Sequence, residues 1–431
     1  MKSNGKKSLK ERKLYIHPMT QAAARLLAAV FRSNGVDAQV LPPSDARTLE
    51  LGAIHSDGDE CLPKKITLGD YLKITEMEGF DPANTAFLMP TANGPCRFGQ
   101  YSTNLETVLH KCGFGKVMVV NPSSVNGYEG FAENGYIFFR TAWISVICAD
   151  ILRKMLLNTR PYEKIKGTTD YVYEQALLRL EKVFEIQGLT FRRIFAMVID
   201  ELVRSKDEFR AIDAHYVKGK PLIAVVGEIF CRHNRFANEN MLKKLEEHGA
   251  ETWIADVAEW ICYTDWSRLI NLKRRGKRFS KEMAVTILKS FIMKRDEHKL
   301  VNLFHDRFMG YEEPANTAEI ARYGKYYLPA TGALGEMALS LGRSGYCYQK
   351  GVDGIVDISP FSCMNGIVSE AIYPSFSKAH NDIPCRVFYY DGINADLDRD
   401  IGIFMELVHG YMSRKKVKRV YPDFFQNPIK A

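Results

Sequence analysis

The stretch Pro221-Leu222-Ile223-Ala224-Val225-Val226-Gly227 is an almost continuous apolar run. Runs of this kind are typical of strands that are buried on both faces of a parallel sheet. A helix over residues 238–248 and a second strand over 251–255 are predicted to follow it. Strand, helix and strand in this order predict a parallel sheet with helices on both faces.

The same alternation is predicted on either side of this unit. Four strands are expected upstream, over 14–17, 36–41, 85–89 and 117–121, and Thr20 is expected to cap the helix after the first of them. Two more strands are expected downstream, over 354–358 and 386–390. The predicted fold class is therefore α/β with three parallel-sheet units. The three units are expected to span residues 1–141, 216–315 and 316–431. A helical connector is expected between the first two, over residues 142–215.

Composition indicates a globular protein. The 431 residues are 46% hydrophobic and 26% charged, and the chain is long enough for two or three domains. No apolar run reaches the roughly 18 residues that cross a bilayer, so a cytoplasmic protein without membrane insertion is expected. The nine cysteines are an odd number. In a reducing compartment they favour metal ligands over a disulfide framework.

The net charge of +8 raises the question of nucleic-acid binding, because basic residues cluster at 273–278 and at 414–419. No nucleic-acid-binding motif and no aromatic-interleaved basic stripe accompanies these runs, so the sequence disfavours that class of partner. The runs are explained either as solvated faces and a basic tail or as attraction to an anionic partner, such as an acidic redox protein or the phosphates of a coenzyme.

Three cysteines lie in polar loops where a hydrophobic core would not place them, namely Cys61, Cys96 and Cys363. Their neighbours include Gly, Pro, Asn and Ser, and backbone N–H groups stabilise a thiolate. Such loops suit a metal ligand or a reactive thiol. Cys96, Cys231 and Cys363 also follow the carboxyl ends of predicted strands, one in each unit, where open parallel sheets bind ligands. The three units are therefore expected to converge on one site.

Four segments of the sequence resemble the 2-hydroxyacyl-CoA dehydratase superfamily. Within it they are most similar to the activase-related branch, which resembles the double-cubane cluster proteins. The resemblance extends over about residues 13–409. The segments are Glu-Cys-Leu-Pro-Lys-Lys-Ile-Thr-Leu-Gly-Asp (60–70), Gly-Pro-Cys-Arg-Phe-Gly-Gln-Tyr (94–101), Val-Gly-Glu-Ile-Phe-Cys-Arg-His-Asn-Arg-Phe-Ala-Asn (226–238) and Asp-Gly-Ile-Val-Asp-Ile-Ser-Pro-Phe-Ser-Cys-Met-Asn-Gly-Ile-Val-Ser-Glu-Ala-Ile (353–372).

The resemblance implies Rossmann- or flavodoxin-like domains around an oxygen-sensitive iron–sulfur cluster, either [4Fe-4S] or a double-cubane [8Fe-9S]. The resemblance implies that Cys61, Cys96 and Cys363 are ligands of the cluster. Cys231 is either a further ligand or a residue that lines the site. In related subunits three cysteines hold a cubane and the fourth iron stays open to a small ligand.

The resemblance also implies partners. The sequence carries no Gly-rich phosphate-binding segment of the activase type. Electrons are therefore expected from a separate ATP-dependent activase or another low-potential electron donor protein, and a homodimer or a heteromeric complex is possible. Of the remaining cysteines, Cys347 is explained equally by packing and by ligation, and four are expected to pack in the core: Cys112, Cys148, Cys262 and Cys385.

Charged neighbours of the cysteines are candidates for catalysis. Arg97 and Arg232 each follow a candidate ligand and either hydrogen-bond the cluster or an anionic substrate, or pair with a carboxylate. Glu228 is either a hydrogen-bond acceptor behind the site or a general acid whose pKa burial raises. His17 and His233 are either proton donors or simply hydrogen-bonded.

These residues leave more than one function open. The first is a reductase-type enzyme in which the cluster passes a low-potential electron to a small molecule. The second is a non-catalytic partner that relays electrons to, or helps to mature, a separate dehydratase or reductase. The third is an acyl-CoA-binding dehydratase subunit, which the superfamily's use of two different subunits disfavours.

Overall fold

The structure is a computed structural model that describes residues 8–92, 96–122, 135–329, 335–392 and 396–426. The chain divides into two compact units. The first comprises Met1–Ala149 and Leu177–Glu201, and the second comprises Asp150–Ala176 and Leu202–Ala431.

The first unit contains a parallel sheet of four strands in the order β2-β1-β3-β4. The strands are β1 (Lys13–Ile16), β2 (Asp37–Val40), β3 (Thr85–Leu88) and β4 (Met118–Val120). The helices between them are α1 (Gln21–Ser33), α2 (Ala46–Ile54), α3 (Leu62–Thr75) and α4 (Tyr101–Lys111). As predicted, the Thr20 hydroxyl caps α1 by accepting from the Ala23 N–H at 3.1 Å.

Close contact between α2 and α3 fixes the position of α3. A Cβ added at Gly69 of α3 would collide with the carbonyl oxygen of Thr48, and one at Gly52 of α2 would collide with that of Lys65. Glycine is therefore required where the two backbones meet. Below them, Tyr71 and Phe87 pack in the core with ring centroids 4.6 Å apart.

Three helices follow, as the sequence predicts for residues 142–215: α5 (Gly135–Thr159), α6 (Thr168–Glu185) and α7 (Phe191–Arg210). Their residues are divided between the two units. Among the described residues, Gly135–Tyr162 is long and apolar enough to cross a bilayer, although the sequence predicts no such run. Of its most apolar window, 61% is buried in the structure, as in the core helix of a globular protein.

The second unit contains a parallel sheet in the order β6-β5-β7-β8. Its strands are β5 (Leu222–Gly227), β6 (Glu251–Ile254), β7 (Gly354–Pro360) and β8 (Cys385–Tyr390). Its helices are α8 (Ile229–His233), α9 (Met241–Glu247), α10 (Val257–Arg274), α11 (Lys281–Val301), α12 (Thr317–Gly324), α13 (Glu336–Gln349), α14 (Met364–Ala379) and α15 (Leu397–Met412).

The predicted α/β class with parallel sheets is confirmed, but the prediction of three sheets is wrong for the described residues. The strands of 216–315 and 316–431 form one sheet, in which Ile223 of β5 pairs with Thr252 of β6 on one side and with Gly354 of β7 on the other. Every residue of β5 is buried. A strand buried on both faces needs a hydrogen-bonding neighbour at each edge, and β7 supplies the second one.

Candidate functional site

Cys61 lies at the N-terminal end of α3, where it precedes the first helical residue, Leu62. Its sulfur lies 2.8 Å from the hydroxyl oxygen of Tyr101, the first residue of α4. The carbonyl oxygen of Cys61 accepts from the backbone N–H of Lys64 at 3.0 Å. The thiol therefore lies at the positive end of a 14-residue helix, in contact with a phenol that can donate to it.

Cys96 lies close to the same tyrosine along the chain. It precedes the short 3-10 turn Arg97–Gln100, which runs directly into α4 at Tyr101. The Phe98 ring packs edge-on against the Tyr101 ring, with centroids 5.5 Å apart. The Arg97 guanidinium donates to the backbone carbonyl of Asp59, two residues before Cys61. The loops of both cysteines are thus held together, although Gly94 and Pro95 of the Cys96 motif lie outside the described residues.

Lys64 holds the loop that leads to Cys61. Its ammonium donates to the Ser56 hydroxyl at 2.8 Å, to the Glu60 carboxylate at 3.0 Å and to the His55 carbonyl at 3.3 Å. Burial raises the pKa of Glu60, but the hydrogen bonds from Lys64 and from the backbone outweigh it and lower the pKa to about 2. All three ammonium donors are engaged, so Lys64 fixes the loop.

His17 follows β1 and belongs to a buried network. Its Nε2 lies 2.9 Å from the carboxylate of Asp70 in α3. Asp70 is wholly buried and also accepts from the hydroxyls of Ser44 and Thr48, each at 2.6 Å. The network ties α3 to the loops after β1 and β2. This geometry matches the structural explanation of His17 better than that of a proton donor.

In the second unit, Glu228 caps the short helix α8. Its carboxylate accepts from the backbone N–H groups of Phe230 at 3.0 Å and Cys231 at 2.8 Å, and also from the Cys231 thiol. Cys231 is wholly buried. Burial raises the pKa of Glu228 above its ordinary value. The thiol of Cys231 is therefore engaged by Glu228.

Cys363 precedes α14, which follows the neighbouring strand β7. The backbone N–H groups of Asn365 and Gly366 donate to its sulfur, but burial and the nearby Glu228 carboxyl raise its pKa to about 12. Cys231 and Cys363 thus approach the same carboxyl group from the ends of two adjacent strands. A buried thiol with this pKa ionises when a metal replaces its proton.

Arg232 and His233 carry unsatisfied donors. Arg232 is 5% exposed, and within the described parts of the chain its Nε finds no hydrogen-bond partner. Arg153 donates to Nδ1 of His233 at 2.8 Å, so the ring carries its proton on Nε2, which is likewise buried without a partner among the described residues. Burial, Arg153 and Arg232 lower the pKa of His233, so the ring is neutral.

Glu336, the first residue of α13, is a member of this site that the sequence analysis missed. Its carboxylate accepts from the backbone N–H of Ile229 at 2.8 Å. Burial and the nearby Glu228 raise its pKa well above the ordinary value. Gly335 before it has φ +133°, and a Cβ there would lie 2.6 Å from the Asn365 side-chain oxygen. The one signal in the sequence is an acidic residue directly after a glycine, a pattern that is common where a helix begins.

Further buried charges surround α10. Arg343 lies 2.5 Å from Glu313 and 3.2 Å from Glu259. Asp150 accepts from the backbone N–H groups of Val257 and Ala258 at the start of α10, at 3.2 and 3.0 Å. Burial, Glu313 and Asp150 together raise the pKa of Asp256 to about 8. The second unit therefore holds several buried carboxyl groups whose pKa values lie above their ordinary values.

The other cysteines show no comparable setting. Cys148 is wholly buried, and Cys347 is buried in the core cluster with Trp253 and Tyr346. Burial raises the pKa of Cys262 and of Cys347 to about 12. Cys112 and Cys385 pack against the hydrophobic cores of their units.

Within the described ranges, no group of three or more His, Cys, Asp or Glu side chains is placed to hold a metal ion. Cys61 and Cys96 belong to the first unit, and Cys231 and Cys363 belong to the second. No protein-family model matches the chain, and no curated protein matches it.

Proposed function

We propose that the chain is an iron–sulfur protein in which the thiolates of Cys61, Cys96 and Cys363 hold a [4Fe-4S] or a double-cubane [8Fe-9S] cluster. Its role is low-potential reduction of a small molecule. The observation that carries the proposal is the pairing of the Cys61 and Cys96 loops around Tyr101. Cys363 is named as the third ligand on the sequence resemblance. When bound, the cluster supplies a one-electron redox centre.

The residues around Cys61 fit a thiolate ligand. The N-terminal end of α3 and the Tyr101 hydroxyl both favour negative charge on the sulfur. The Arg97–Asp59 contact and the Lys64 contacts hold the Cys61 loop in place. Cys231 is better explained as a lining residue than as a ligand, because its thiol donates to Glu228.

The acidic groups beside Cys363 favour reduction over simple electron relay. Burial raises the pKa of both Glu228 and Glu336, the charge of Glu228 raises that of Glu336 further, and Arg232 partly offsets these effects. A carboxyl group whose pKa is raised in this way keeps its proton to a higher pH than an exposed one and can donate it. An electron relay needs no proton donor, whereas reduction of a small molecule consumes protons. We assign the proton-donating role to this pair.

The partners remain those that the sequence suggests. Electrons come from an ATP-dependent activase or another low-potential electron donor protein, and the protein acts in the cytoplasm. A homodimer or a heteromeric complex is compatible with this role.

A turnover assay tests the proposal. Anaerobically purified protein is supplied with a chemical reductant and with candidate small substrates, and electron consumption is measured. We expect the protein to consume more electrons than the cluster alone can accept. Glu336→Gln is expected to slow it without changing how fast the cluster is reduced, whereas Glu406→Gln, at an exposed position of α15, leaves it unchanged. Reduction that stops after one filling of the cluster would identify a relay protein.

A further inference from the structure

Helices α10 and α11 form a hairpin whose outer surface the proposed function does not use. One side of α11 packs against the rest of the second unit through the buried side chains of Met283, Thr286, Met293 and Leu300. A surface helix normally turns polar residues outward on the opposite side.

The outward side of α11 is apolar instead. Val285, Ile287, Leu288 and Phe291 are 47%, 53%, 60% and 65% exposed. At about 100° per residue these positions lie on the side of the helix that faces away from the buried ones. Phe279, in the turn between the two helices, is 97% exposed. A contiguous apolar surface of this kind indicates an interaction site.

The tip of the same hairpin is strongly basic. Lys273, Arg274, Arg275, Lys277 and Arg278 are all exposed at its tip. Glu282 is the only acidic residue between positions 273 and 292, and it already contacts Lys277 at 3.4 Å and Arg268 at 3.5 Å. The tip of the hairpin thus offers apolar side chains framed by cations, and Glu282 is the one acidic residue in the stretch 273–292.

We propose that this hairpin binds to an anionic lipid surface. Phe279 and the outward side of α11 enter the boundary between headgroups and acyl chains, and the Lys and Arg side chains contact lipid phosphates. Binding of this kind is peripheral and needs no spanning segment.

Other occupants fit the surface less well. A second copy of the chain would bring the same cations against each other, and the one carboxylate of the stretch 273–292, Glu282, already contacts Lys277 and Arg268. Nucleic acid would leave the outward aliphatic side chains without a partner. A folded protein partner would need an acidic surface around an apolar pocket of matching shape, whereas an anionic lipid surface supplies both negative charge and an apolar layer without a fixed register.

Vesicle flotation with the full-length protein tests the proposal. The probes are unilamellar vesicles of equal parts phosphatidylglycerol and phosphatidylcholine, and vesicles of phosphatidylcholine alone. We expect binding to the anionic vesicles only, and its loss at high salt. The double variants Phe279→Ser/Leu288→Ser and Arg274→Glu/Arg278→Glu should each weaken binding by about tenfold or more.

The matched control is Lys416→Glu/Lys418→Glu, which reverses two exposed cations in the other basic run and should bind like the wild type. Absence of binding to the anionic vesicles would overturn the proposal. Equal loss in the control would show attraction by net charge alone. Unchanged binding of Phe279→Ser/Leu288→Ser would show that the apolar side chains do not enter the lipid. Self-association without vesicle binding, measured by light scattering, would assign the surface to a second copy.

Discussion

The hydroxyl oxygen of Tyr101 lies 2.8 Å from the sulfur of Cys61, and the same tyrosine begins the helix that follows the Cys96 turn. One side chain therefore connects the two cysteine loops. A hydrogen bond to a ligand sulfur withdraws electron density from it and favours the reduced cluster.

Replacing that hydroxyl should change the redox potential. Tyr101→Phe keeps the ring and its packing against Phe98 but removes the donor to Cys61. We expect the midpoint potential of the cluster to fall by about 20–60 mV, where 59 mV corresponds to a tenfold change for one electron. An anaerobic redox titration measures this. Tyr171→Phe, at a ring that is 66% exposed in α6, is the control. An intact cluster with an unchanged potential would show that Cys61 is not a ligand.

The pKa of Asp256 predicts a pH dependence of stability. Its pKa is about 8 in the folded chain against an ordinary value of 3.8, so the folded chain holds the proton more tightly. The free energy of unfolding should therefore fall as the pH rises from about 4 to 8, by at most about 1.4 kcal/mol per pH unit from this group.

Asp256→Asn removes this titration and should flatten the pH profile, as measured by urea unfolding at several pH values. Asp213→Asn, at a carboxylate that is 67% exposed, is the control and should leave the slope as in the wild type. Parallel profiles for the wild type and Asp256→Asn would show that Asp256 is already ionised at low pH.

The second basic run contains a structural ion pair. The Arg419 guanidinium lies 2.6 Å from the Glu251 carboxylate, and both side chains are at most 1% exposed. Arg419→Ala leaves Glu251 buried without its cation and should lower the free energy of unfolding by about 3–5 kcal/mol. Lys418→Ala, at an exposed neighbour, should change it by less than about 0.5 kcal/mol. Similar values for both variants in denaturant unfolding would contradict the assignment.

Local features of the fold were predictable from the sequence. Thr20 caps α1 and Gly35, with φ +79°, follows its end, because both effects depend on neighbouring residues alone. The apolar run of β5 is likewise a strand with every residue buried. The number of sheets was not predictable, because the pairing of Ile223 with Gly354 joins strands that are far apart in the chain.

The candidate site was also predictable only in part, because some of its features depend on neighbouring residues and others on contacts between distant parts of the chain. The polar loops of Cys61 and Cys96 are visible in the sequence, whereas the contacts that join them, Cys61 with Tyr101 and Arg97 with Asp59, arise only on folding. Glu336 and Asp256 look like ordinary surface acids at helix starts. Their raised pKa values come from burial beside other carboxyl groups, which no local pattern encodes.

The most direct test of the central claim is the iron and acid-labile sulfide content of protein purified anaerobically from an iron-sufficient host. We expect about four of each per chain for a single cubane, and more for a double one. Cys61→Ser and Cys96→Ser should each lose most of both. Cys148→Ala, in the core, should keep both and lower the free energy of unfolding by about 1–2 kcal/mol. Wild-type protein without sulfide, or equal loss in all three variants, would contradict the claim.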